Sequence, residues 1–262
     1  MFKNKYFTFD GIRSIDKNLA IVSIGNNSSN TQFGLKQSVE KQYGIGDIPL
    51  YKGIKRDISQ FDITLCKLDK QNNLLRFTEK EKNDICRWLF KKDYKPFVSE
   101  DDRSKVYYVI FTEGDSFFNG LNEGYINLKM ELNAPYAYSP IVDDFWRVTN
   151  LKEINIYNNS NIDCEVYPDI EIELLGDTNK VEIYNQMTGS RTILENLQPN
   201  EHIYIYGDEV RDIVSMVDKN RNLFPNFINK QWLKLVYGRN KIIIKAKSAN
   251  VRIINQYPLA II

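Results

Sequence analysis

The sequence has little of what most enzymes use. Among its 262 residues there is one histidine, His202, in NEHIYIYGD, beside no serine or cysteine motif. A histidine base needs a positioned partner to hold its tautomer and orientation, so His202 is read as a structural or solvent-exposed strand residue. A zinc site of the HExxH type is excluded by count alone. The three cysteines, Cys66, Cys86 and Cys164, stand apart without CxxC spacing. That excludes a disulfide framework or a thiolate zinc site and fits small buried side chains of a reducing compartment. Neither a P-loop nor a GxGxxG run is present, so nothing here cradles a nucleotide. No cofactor and no metal are expected.

No stretch approaches the roughly 18 apolar residues of a membrane span. The opening MFKNKYFTFDGIRS lacks the apolar core of a signal peptide, so the expectation is a soluble protein made in the cytoplasm. An excess of one charge is missing too. Lysine and arginine total 35 against 34 aspartates and glutamates, a net charge of +1. Binding to nucleic acid or to an anionic membrane surface by phosphate neutralisation is therefore not supported. Paired carboxylates occur at Glu100, Asp101 and Asp102 and at Asp143 and Asp144. Both groups sit in expected turns or linkers, where solvated charges are ordinary, so a glycosidase-type pair is not assigned. LDKQNN at 68–73 lacks the glycine and the bidentate glutamate of a calcium loop.

What is present is the composition of a globular β protein. Hydrophobic content of 42% against 26% charged residues suffices for packed cores, and isoleucine, valine and tyrosine recur throughout. YFTF and LAIVSIG are short β-type runs, the second closed by the loop NNSSN. The run QSVEKQYGIGDIPLYKGIK holds three glycines and a proline and no steady apolar face, which predicts a projecting loop or hairpin. ISQFDITLCKL alternates, with Ile58, Phe61, Ile63 and Leu65 as the inward set after a register change near Gln60. TEKEKNDICRWLFKKDY predicts a helix over 79–92. Thr78 and Glu81 form a capping box, and Ile85, Trp88 and Leu89 make one apolar stripe. KPFVSEDDRSKVYYVIF predicts two strands joined by SEDD, and NLKMEL continues an alternation of Ile126, Leu128, Met130 and Leu132 against polar neighbours.

NAPYAYSP interrupts that alternation with two prolines, and the pattern changes beyond it. EINIYN, DIEIEL, KVEIYNQ, RTILE, EHIYIY, WLKLVYG, NKIIIKAK and VRIINQY are spaced as the strands of a sandwich, with turns at LGDTN, QMTGS, LQPNE, YGRN and SAN. The expected fold is therefore mainly β. A β-rich α+β domain with one packed helix occupies 1–140, and an all-β sandwich occupies 141–262.

The order of these features resembles the distal tail proteins (Dit) of siphophages, especially those of Gram-positive hosts. The resemblance rests on YFTFDGIRSIDKNLAIVSI, FTEKEKNDICRWLFKKDYKPF and INLKMELNAPYAYSP in the first half. In the second half it rests on VYPDIEIEL, VEIYNQMTGSRTI and NKQWLKLVYGRNKIII. It implies a galectin-like second domain and a hexameric ring at the tail tip, built by the N-terminal domains. That ring joins the tail tube protein to the tail-associated spike protein, and in some phages it also holds receptor-binding proteins. It implies a virion component assembled in the host cytoplasm, and no enzyme. The 141–262 segment has room for a bare sandwich only, and no HxNPR-like run is present, so galectin sugar binding is not carried across. Under the ring reading, Tyr43, Ile45, Ile48, Leu50 and Tyr51 form an arm that packs on a neighbouring subunit. An alternative reading is a carbohydrate-binding module whose β-sandwich stacks glycan on Trp146 or Trp232.

Overall fold

The structure, a computed structural model, describes residues 6–22, 34–44, 46–207 and 210–261. The NNSSN loop and Ile45 lie outside them. Internal contacts divide the chain into two compact units, Met1–Ser139 with Leu259–Ile262, and Pro140–Pro258. The last few residues thus pack with the first unit and not with the second half, where the sequence pattern had left them.

The first unit contains β1 (Phe7–Phe9), β2 (Ile12–Arg13), β3 (Leu19–Val22), β4 (Gln37–Gln42), β5 (Leu50–Arg56) and β6 (Gln60–Lys67). Helix α1 (Glu79–Leu89) follows, then β7 (Lys95–Ser99), β8 (Tyr107–Phe118), β9 (Gly124–Leu132) and β10 (Ala137–Tyr138). Seven of the strands form one antiparallel sheet in the order β2-β1-β7-β8-β9-β6-β3. The alternation of a half-buried strand sends Phe7, Phe9, Phe97, Val109, Leu128 and Met130 to one face, where α1 covers them with Ile85, Trp88 and Leu89.

The helix starts where its capping box places it. The Glu81 N–H donates to Thr78 Oγ1 at 3.2 Å, and the Thr78 N–H donates to Glu81 Oε2 at 2.9 Å. It ends at Leu89, three residues before the expected 92, because Phe90 turns to extended backbone while its N–H still donates to the Cys86 carbonyl. Lys91 then pairs with Asp10 at 3.6 Å. In β6 the inward residues are Ile63 and Leu65, with Phe61 half-buried on the same core. Ile58 is 45% exposed, because the ladder begins at Gln60 and Ser59 takes the buried place. In NAPYAYSP, Ala137 is fully buried, and Tyr138 stacks edge-on against both Tyr108 and Tyr136 at 5.2 Å.

The second unit contains β11 (Val142–Asn158), β12 (Asp169–Leu174), β13 (Val181–Asn185), β14 (Arg191–Leu194), β15 (His202–Ile205), β16 (Ile213–Ser215) and β17 (Gly238–Asn255); β18 (Pro258–Leu259) follows and pairs with β10. DIEIEL is β12 as expected, with Ile170, Ile172 and Leu174 buried.

Three sequence expectations need correction. NKIIIKAK and VRIINQY are one 18-residue strand, β17, and SAN is no turn. EINIYN is the end of a strand that starts at Val142. WLKLVYG forms no strand; Leu235 makes a single bridge to Val166.

Strands β11 and β17 run antiparallel along their whole length and form the spine of the unit. Thr149 faces Ser248 and Asn150 faces Ala246, so Lys247 is an extra residue, a β-bulge. It changes which side chains point inward: Ile242, Ile244 and Ala246 before it, and Ala249, Val251 and Ile253 after it, all buried. The first half of β17 pairs with β13 and the second half with β12. Both halves line one core.

Candidate functional site

The candidate surface of the first unit is the hairpin β4–β5, a two-stranded ladder that pairs with no other described strand. Val39 lies across from Ile54, Lys41 from Tyr51 and Gln42 from Leu50. The ladder shifts register between Glu40 and Lys41, which makes Lys52 the extra residue; Gly53 beside it has φ +142°, a conformation that side chains disfavour. At the base, the Asp57 N–H donates to the Lys36 carbonyl, and Lys55 pairs with Asp57 at 3.7 Å.

A free hairpin of this kind is marginal in water, and here it carries apolar side chains that no other described residue covers. Ile48 is 88% exposed, Tyr43 75%, Leu50 68% and Tyr51 66%. Val39 and Ile54, not among the arm residues expected from sequence, are exposed on it as well. Their alternation was the signal available, obscured by the bulge.

The second unit carries a polar row on the outer side of its sheet. Registers place Phe145 opposite Arg252, Arg252 opposite Glu171, Asn250 opposite Glu173, and Glu173 opposite His202. His202 Nε2 and Glu171 Oε1 are 2.7 Å apart, and Arg252 Nη1 reaches Glu171 Oε2 at 3.2 Å. Arg252 Nε sits 2.9 Å from Asp143 Oδ1, and Asn250 Nδ2 donates to Glu173 Oε2 at 2.8 Å. In the adjoining positions, the Tyr204 hydroxyl donates to Asp169 Oδ2 at 2.9 Å. Burial, and after it this carboxylate, holds the Tyr204 phenol above its ordinary pKa. His202 has no partner nearby in the sequence, because Glu171 lies 31 residues away; the outward phase of DIEIEL was the clue.

The other candidates lie elsewhere. Trp146 and Trp232 are both half-buried against the second core. The Trp232 indole donates to the Tyr206 carbonyl at 3.0 Å and meets Phe227 edge-on at 4.7 Å. Glu100 pairs with Arg13 and Asp102 with Lys105, so these carboxylates serve the first unit's own surface. Asp69 accepts the N–H groups of Gln71 and Asn73, both at 2.8 Å, which is an Asx-type turn.

Residues 2–134 match the family model of a phage tail protein N-terminal domain, and residues 136–255 match that of a phage tail C-terminal domain. Over 249 residues, 94% of each chain, the sequence is 23% identical to the SPbeta prophage-derived protein YomH of Bacillus subtilis (strain 168). Among solved structures, the Dit protein (gp 19.1) of phage SPP1, a hub of the adsorption apparatus in Gram-positive infecting phages, is similar with a TM-score of 0.67. It shares 13% identity, over 96% of this chain and 98% of that one. The phage P2 baseplate in its activated conformation with Ca matches with a TM-score of 0.53 and 11% identity, over 96% and 98%. The chain belongs to the phage tail protein family that these two domain models describe, a structural family with the distal tail (Dit) fold and not an enzyme family.

Proposed function

We propose that this phage tail protein is the ring-forming hub of the tail tip. Six copies close through their first units, residues 1–140 of the sequence division. The ring joins the tail tube protein to the tail-associated spike and the host-adsorption apparatus, while the galectin-like second units extend the hub. It assembles in the host cytoplasm and ends in the virion.

The observation that carries this reading is the β4–β5 hairpin with its uncovered apolar side chains. Contiguous exposed apolar surface marks an interaction site. A head-to-tail contact that closes on itself generates a ring, and an arm laid on the next subunit supplies such a contact without a large flat patch.

Native mass spectrometry of the full chain, and of a variant lacking residues 40–52, tests the reading. The expected result is a six-fold mass for the full chain and its loss in the variant. An oligomer that survives the deletion sinks the arm. A full chain that stays monomeric at high concentration, with and without tail tube protein, sinks the ring.

A further inference from the structure

We infer that the outer face of the second unit, around Phe145, is a binding site for a neutral saccharide. Phe145, near the start of strand β11, is 61% exposed, with Arg252 directly opposite. Around it, planar polar groups are already fixed. Arg252 is held between Asp143 and Glu171, Glu171 is shared with His202, and Asn250 is bonded to Glu173. Groups ordered before a ligand arrives lose little entropy on binding it.

Their remaining valences point to hydroxyl groups. Arg252 Nη2, Asn250 Oδ1 and Glu173 Oε1 have no protein partner among the described residues. Planar donors and acceptors on neighbouring strands, about 4.8 Å apart, with rows about 6.8 Å apart, span roughly one or two pyranose rings. The exposed ring beside them offers an apolar surface to the C–H face of a sugar. One aromatic with a few convergent polar groups in a shallow cleft is the composition of a small-ligand site. A protein-binding hot spot would instead need a larger apolar centre.

Charge decides the class of sugar. Asp143, Glu171 and Glu173 offset Arg252 and Arg147, which faces Asn250, so an anionic wall polymer gains no net attraction here. The assignment is independent of the ring reading, and it uses neither tryptophan.

The full chain on a printed array of neutral hexose and N-acetylhexosamine oligosaccharides, with heparin and teichoic acid alongside, tests the site. Isothermal titration follows with the strongest neutral oligosaccharide. We expect saturable binding that Phe145→Ala and Asn250→Ala each weaken by about tenfold or more, with unchanged unfolding midpoints. Glu173→Gln, which keeps the shape, weakens it too and guards against a variant that misfolds. No neutral binding up to about 10 mM, a range in which binding is worth under about 3 kcal/mol, overturns the site. So does binding confined to the anionic polymers, or neutral binding that all three variants leave intact.

Discussion

Trp88 donates its indole N–H to the main-chain oxygen of Phe9 at 3.1 Å, linking helix α1 to strand β1 across 79 residues of sequence. The same indole stacks on Phe7 with ring centroids 5.7 Å apart, and it is 4% exposed. Trp88→Ala removes a large aromatic from the centre of the first core and costs about 3–5 kcal/mol. Trp88→Phe keeps most of the volume but leaves the Phe9 carbonyl without this donor, a loss of about 1–3 kcal/mol. Urea denaturation of both variants gives the two values. Midpoints that barely move would show that α1 is not docked by this residue.

Glu81 ties the start of α1 to the sheet, since Lys67 Nζ donates to its Oε1 at 2.6 Å. That hydrogen bond first, and the Thr78 N–H after it, hold the Glu81 carboxyl below its ordinary pKa. A carboxylate with a depressed folded pKa stabilises above its unfolded value of about 4.3, and the contribution is lost as pH falls through the lower folded value. With 39% of the Glu81 side chain exposed, solvent screening limits the effect to under about 1 kcal/mol. Glu81→Gln should flatten the fall in stability between about pH 5 and pH 3. An unchanged pH slope in denaturation midpoints would assign the acid sensitivity to other carboxylates.

Deleting Lys247 should be far more damaging than replacing it. Lys247→Ala removes only a surface ion pair with Asp177, so stability moves by no more than about 0.5 kcal/mol. The deletion removes the residue that switches the inward set from even to odd numbers. A one-residue slip turns Ala249, Val251 and Ile253, or their counterparts before the bulge, to solvent. The loss exceeds about 4–5 kcal/mol and shows in circular dichroism as absent cooperative melting of the second unit.

Charges on the arm separate assembly from folding. Ile48→Asp with Leu50→Asp changes two side chains that are 88% and 68% exposed, so each shifts stability by about 0.5 kcal/mol or less. Native mass spectrometry should nonetheless show single chains in place of the oligomer. An oligomer of unchanged mass would place the contact elsewhere.

The features legible in the sequence were those with an unbroken local period. The capping box of Thr78 and Glu81 and the strict alternation of β12 each follow from one buried face and from neighbours within a few residues. Strand β17 was read as two because its bulge changes the phase of Ile244 against Val251 while both stay inward. WLKLVYG has the alternation of a strand, with Leu233 and Leu235 buried, yet pairing depends on a partner edge that no local pattern records. The β4–β5 hairpin was visible through its lack of a steady period. The row around Phe145 was not, because His202, Glu171 and Arg252 meet only after three strands have paired.

The return of Leu259–Ile262 to the first unit sets an order of events during synthesis. Ile261 is fully buried in the core with Phe7 and Trp88, and its carbonyl accepts the Gly34 N–H at 2.7 Å. Ribosomes deliver about 5–20 residues per second. The first unit, begun earliest, therefore waits on the order of ten seconds for the Ile261 side chain while the second unit is made. The second unit can close its core before the first is complete.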